Sequence, residues 1–140
     1  MPFRTAPPLS HAGGRRTNQD AAGWREAGDT TCWVLADGLG GHASGEVASE
    51  AAVEGALAAF EARPGTDVAT LDRCLARAQE VVRTLQDGAP DLESMRTTLV
   101  VLTASASVAR WAHVGDSRLY AFRGGFVEAR TTDHSVPQAL

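Results

Sequence analysis

Between Thr97 and Thr131 four short runs, "TTLVVLTA", "VARWAHVG", "SRLYAFRG" and "FVEART", follow one another with only turn formers between them. Each is rich in β-branched and aromatic side chains, which suit a pleated, half-buried surface. A parallel neighbour needs a crossover of a dozen residues or more, and no such length separates these runs, so they are expected to pair antiparallel. The Gly124-Gly125 pair reads as the tight turn of a hairpin.

Upstream the texture is helical. "GEVASEAAVEGALAAFEAR", Gly45 to Arg63, is built of strong helix formers, with Val47, Ala51, Leu57 and Phe60 at roughly helical spacing, and it stops at Pro64-Gly65. A second helix is expected from Asp67 to about Asp87. Thr66 or Asp67 would cap it, and Val68, Leu71, Leu75, Ala78, Val82 and Leu85 would share one face before "GAPD" ends it. Ahead of both, "TTCWVLAD", residues 30–37, reads as a buried strand, and the first ten residues, with Pro2, Pro7 and Pro8, as an extended lead-in. Helices beside closely spaced antiparallel strands predict the α+β class.

A chain of 140 residues has room for about one domain with a real core. Its formal net charge of −4, with arginines scattered from Arg4 to Arg130, offers no electrostatic footprint for nucleic acid. There is no lysine, which excludes Schiff-base chemistry and the usual lysine-containing phosphate loop. Cys32 and Cys74 form neither a disulfide framework nor a zinc pattern and read as buried thiols. No apolar run approaches the ~18 residues that would cross a bilayer, and the start lacks the apolar stretch of a signal peptide. No membrane association and a cytoplasmic location are the resulting expectations.

The stretch "DGLGGHASG" lies between the strand and the first helix. A dinucleotide-binding loop is one reading, but Asp37 would set a negative charge beside the phosphates, and no acidic strand end follows at the spacing of a βαβ unit. Two readings of Asp37 remain open at this level. It caps the following turn, as Asp-Gly often does, or it is a carboxylate held stiffly at a strand end as a ligand for a hard divalent cation. "GRRTNQDAA" upstream and "AHVGDSRLYAFRGG" downstream add Asp20 and Asp116 in turns beside sheet ends, with Arg15 nearby. Acidic groups in turns with an arginine suit a metal-held phosphate site.

"RRTNQD", "ADGLGGHASGEVAS", "MRTTLV", "AHVGDSRLYAFRGG" and "TTDHS", in this order and approximate spacing, resemble the bacterial metal-dependent serine/threonine protein phosphatases of the PPM family, also called type 2C. The matches run from about Arg15 to Ser135. The resemblance implies an αββα sandwich, antiparallel sheets with flanking helices, of which residues 1–140 would be the amino-terminal portion of a single phosphatase domain. It implies two and in some members three Mn2+ or Mg2+ ions, and as partners phosphorylated proteins of a cognate serine/threonine kinase.

Residue by residue, the resemblance makes Asp37 the ligand shared by two ions, with the Gly38 carbonyl reaching the second. Asp20 serves that second ion directly or through water, Asp116 helps to hold a third, and Arg15 binds the substrate phosphate, Arg16 being its solvated neighbour. His42 is a proton donor, a substrate contact, or a tie within its own loop. His113 is expected to be structural, Asp133 and His134 to lock a turn, and Thr97 and Thr98 to begin a strand without acting as nucleophiles. Leu39 stands where some eukaryotic relatives carry a histidine proposed as general acid, and Arg96 where the family usually has glycine. The family completes its first metal site with two further aspartates from a carboxyl-terminal half, whereas no acidic residue follows Asp133. A catalytically incomplete, phosphatase-like binding module or a truncated fragment is therefore the alternative expectation.

Overall fold

The computed structural model of the chain describes residues 4–41 and 44–134. In chain order these form β1 (Asp20–Ala27), β2 (Thr30–Leu39), α1 (Ser44–Ala62), α2 (Val68–Gly88), a 3-10 turn (Pro90–Leu92), β3 (Arg96–Thr97), β4 (Leu99–Ala104), β5 (Ala109–Val114), β6 (Tyr120–Arg123) and β7 (Phe126–Arg130). The main sheet runs β1-β2-β4-β5, with β3 also on β2, while β6 and β7 make a separate hairpin. Every pairing is antiparallel, as the spacing of the four downstream runs demands. Gly124 and Gly125 turn the hairpin at φ 58° and 83°, a region that glycine enters without steric cost.

Both helices lie on one face of the sheet. Cys32, Val34 and Ala36 of β2 and Leu99 and Val101 of β4 point into this layer and meet Ala48, Ala52, Ala56, Leu57 and Phe60 of α1. Small residues, alanine, glycine and serine, dominate the buried side of α1, so helix and sheet approach closely; Gly23 leaves only 3.0 Å between a would-be Cβ and Leu57 Cδ1. The Asp67 carboxylate caps α2, accepting from Thr70 N at 2.9 Å and from Thr70 Oγ1 at 2.6 Å, which holds its carboxyl below the usual range. Leu71, Cys74, Ala78 and Val82 are the apolar residues that α2 buries. Val68 and Leu85, expected on that face, are exposed because the two ends of α2 overhang what they pack against. Cys32 and Cys74 are buried free thiols, and the hydrogen bond between them, together with burial, pushes the Cys32 thiol up.

Two differences from the sequence reading position the site. Asp20, read as lying in a turn, begins a full strand, Asp20–Ala27, which the sequence reading did not assign and whose eight residues pair with β2 from Asp20↔Asp37 to Ala27↔Thr30. And β2 does not stop at Asp37. It continues through Leu39 because Gly38 and Leu39 find hydrogen-bonding partners in Thr97 and Arg96 of β3, which puts Asp37 and Gly38 inside a strand and not at the mouth of a glycine loop. Strand alternation then sends Asp37, with Trp33 and Leu35, to the face away from the helices. That face is apolar and partly open, with Trp24 37% and Leu35 40% exposed. The expected αββα sandwich is present among the described residues as one helical layer, one large sheet and the small β6–β7 sheet. No helix among them is long and apolar enough to cross a membrane.

Candidate active site

The strand end that carries Asp37 is clamped from three sides. Gly38 N donates to Gln19 O at 2.9 Å, Thr98 N donates to Asp37 O at 3.0 Å, and Asp37 N donates to Thr98 Oγ1 at 2.9 Å. Thr98 Oγ1 also pairs with Ser117 Oγ at 2.6 Å, joining the clamp to the turn that bears Asp116. Gln19 spans the glycine segment by donating from Nε2 to Gly40 O at 3.0 Å. Glycine at 38 is a packing requirement: a Cβ there would collide with the Gly45 carbonyl at the start of α1 and lie 2.8 Å from Gln19 O.

Register does the rest. Asp20 and Asp37 are cross-strand partners on one face, which brings their carboxyl groups close enough for one to hydrogen-bond the other. Partial burial, that hydrogen bond and the negative charges of Asp20 and Asp116 push the Asp37 carboxyl above the usual range, while Arg15 pulls it back. The carboxylate itself stays open to solvent, so burial acts only in part. A cavity of about 220 Å³ is lined by His11, Arg15, Gln19, Asp20 and Asp37, and Arg16 is not among its walls.

Asp116 is near enough to act on Asp37 through its charge, in the turn between β5 and β6. Gly115, at φ 101°, allows that turn, and its peptide group bonds both ways with His134: His134 N donates to Gly115 O at 2.9 Å and Gly115 N to His134 Nδ1 at 3.3 Å. His113 stacks on His134, ring centroids 4.4 Å apart, and its Nε2 meets Thr132 O at 2.8 Å. Arg118 closes the lock with a two-pronged ion pair to Asp133 at 2.9 and 2.7 Å, which holds the Asp133 carboxyl low. These contacts match the structural roles expected of His113, Asp133 and His134.

The structure thus brings together Arg15, Asp20, Asp37, Gly38 and, at longer range, Asp116. His42 lies outside the described residues. Among the described residues no three carboxylate, imidazole or thiol groups converge tightly enough to cage a metal ion. His11 was missed: it walls the cavity and accepts from Gly13 N at 2.8 Å, but its proline-rich surroundings carry no sequence signal of a site. The supporting pair Thr98–Ser117 was also unforeseen, since only the β4–β5 register brings the two together.

The sequence pattern described as Protein phosphatase 2C matches residues 9–137. The chain belongs to that family. It is 36% identical over 108 residues to the serine/threonine protein phosphatase PstP of Mycobacterium tuberculosis, covering 76% of this chain and 21% of the relative. To the protein phosphatase PhpP of Streptococcus pneumoniae it is 34% identical over 139 residues, covering 94% of this chain and 56% of the relative. Among solved structures, the PstP catalytic domain in complex with two manganese ions superposes with a TM-score of 0.75 at 36% identity, over 89% of this chain and 53% of that one. The Streptococcus agalactiae serine/threonine phosphatase gives a TM-score of 0.79 at 29% identity, over 94% and 56%. The chain therefore spans about half the length of PhpP and of these solved phosphatases, and about a fifth of PstP.

Proposed function

We propose that residues 1–140 form the amino-terminal portion of one phosphatase domain, and that the protein hydrolyses phosphoserine and phosphothreonine on proteins phosphorylated by a cognate kinase, in the cytoplasm. The observation that carries this reading is the Asp20–Asp37 pair facing the same cavity as Arg15. Two carboxyl groups set opposite each other, one of them held above its usual range by partial burial and by its acidic neighbours, make a donor set that a divalent cation would relieve.

Mn2+ or Mg2+, as two ions and in the fuller arrangement three, would be held by Asp20, Asp37, the Gly38 carbonyl and Asp116, with further oxygen ligands from elsewhere completing six-fold coordination. Such ions, when bound, acidify water and neutralise phosphoryl oxygens. Arg15 offers a planar fork for the non-bridging oxygens of the substrate phosphate. Thr98 fixes the backbone of Asp37 so that its carboxylate is presented in one orientation. Thr97 Oγ1 is engaged with Thr98 O at 2.9 Å, and neither threonine is free to attack phosphorus. Leu39, 67% exposed, has no proton to give, so the leaving alkoxide takes its proton from water or from His42.

A second reading, a phosphatase-like module that binds phosphoproteins without cleaving them, is favoured by the missing third convergent ligand among the described residues. Titration calorimetry with manganese separates the two: two sites support the hydrolase, one weak site or none the module. In the manganese-loaded protein, Asp37→Ala is expected to abolish hydrolysis of a phosphothreonine peptide. Retained turnover would remove Asp37 from the reaction.

A further inference from the structure

A cavity of about 300 Å³ opens on the helical side of the sheet, between α2, β3 and the start of β4. Leu75, Ala78, Val82 and Leu99 give it an apolar floor. Along one wall α2 presents Gln79, Arg83 and Gln86, spaced so that one helical ridge carries all three. Arg96 of β3 forms the opposite wall. Its Nη1 donates to Glu93 O at 3.0 Å and Met95 O at 2.7 Å, while Gln86 Nε2 donates to Met95 O at 2.7 Å. These bonds hold the Arg96 guanidinium in place with donors to spare. Among the described residues Arg83 makes no ion pair or hydrogen bond, and Arg96 pairs with no carboxylate. In a chain of net charge −4, two arginines without acidic partners over one apolar floor form a local site for an anion attached to an apolar group.

Its place matters. Thr97, which lines the cavity, is the cross-strand partner of Gly38 on the helical face, whereas Asp37 points to the other face, so the cavity and the Asp20–Asp37 pair lie on opposite sides of the same strand end. An extended peptide advances about 3.3 Å per residue, so a substrate that reached both places would carry its docking residues several positions from the phosphate. We propose that this cavity is a substrate-docking site: it takes an apolar side chain of the phosphoprotein together with an adjacent carboxylate, several residues from the phosphate being removed. The proposal rests on the phosphatase reading above and adds to it a determinant of which phosphoproteins are chosen.

The test measures binding and turnover separately. Fluorescence anisotropy would follow labelled phosphothreonine peptides carrying, several residues away, Leu-Glu, Leu-phosphoserine or Leu-Gln, with wild type, Arg83→Ala, Arg83→Lys and Arg83→Ala/Arg96→Ala. The Arg83 variants alter an exposed helical side chain and leave the fold intact. Tighter binding of the Leu-Glu peptide than of the Leu-Gln peptide is expected, and a preference confined to the Leu-phosphoserine peptide would overturn the carboxylate assignment. Arg83→Ala should weaken that binding about fivefold, the double variant more, and Arg83→Lys should restore part of it, while kcat/KM for p-nitrophenyl phosphate stays unchanged. Equal affinity of wild type and the double variant for all three peptides would overturn the docking site. If p-nitrophenyl phosphate is not hydrolysed but peptide binding still depends on Arg83, the docking site stands and the hydrolytic reading falls.

Discussion

Replacing Gly38 with alanine tests whether the strand end that carries Asp37 owes its position to backbone packing. The new Cβ would strike the Gly45 carbonyl and lie 2.8 Å from Gln19 O, so on both sides it meets main chain and finds no flexible side-chain tip that could swing away. Overpacking of this kind costs about 1–3 kcal/mol, and rigid neighbours argue for the upper end. With a urea slope of about 1.5 kcal/mol per molar, a loss of about 3 kcal/mol lowers the unfolding midpoint by about 2 M. Gly41 supplies the control: nothing lies within 4 Å of its would-be Cβ and its φ is ordinary, so Gly41→Ala should shift the midpoint by less than about 0.5 M. Urea titrations followed by the fluorescence of Trp24, Trp33 and Trp111 would measure both variants. A Gly38→Ala midpoint indistinguishable from that of Gly41→Ala would refute the argument, because the close approach of β2 to α1 would then cost nothing to relax.

Two further outcomes follow from the same strand end. The Asp37 carboxyl is held above the usual range, so the folded state binds its proton more tightly than the unfolded chain does, and the resulting stability is present at low pH and lost as pH rises through the folded value; in chelator-treated protein Asp37→Asn should therefore melt higher than wild type at neutral pH, with the gap closing as pH falls below the ordinary carboxylate range, and saturating manganese should stabilise wild type more than the variant. Melting curves across pH with and without manganese check both signs, and equal stabilisation of the two proteins by manganese would argue against Asp37 as a ligand. Thr98→Val removes the acceptor for Asp37 N and the partner of Ser117 Oγ, and is expected to cost about 1 kcal/mol of stability and to weaken manganese binding about tenfold or more, read by denaturation and calorimetry respectively.

How far the sequence could be read depended on whether a signal was local. The helices were legible because their formers, stops and the Asp67 cap lie within the segment they describe, and Gly124-Gly125 announced its hairpin for the same reason. The strand β1 was not: "DAAGWREA" mixes alanine, glycine and charge, and it becomes a strand only because all of its residues pair with β2 around the turn at Gly28, whose φ of 63° only the structure shows. Missing β1 hid the central fact of the site. Asp20 and Asp37 could be nominated singly, but that they face each other follows from hairpin register, which no spacing rule in the segment between them expresses. Like charges directly opposite each other weaken a sheet, and here the pair lies on the side away from the helical core, backed by Asp116 and opposed only by Arg15. A fold that spends stability on such an arrangement has a use for the negative potential, and the prediction that manganese stabilises wild type more than Asp37→Asn is the direct measure of what that use is.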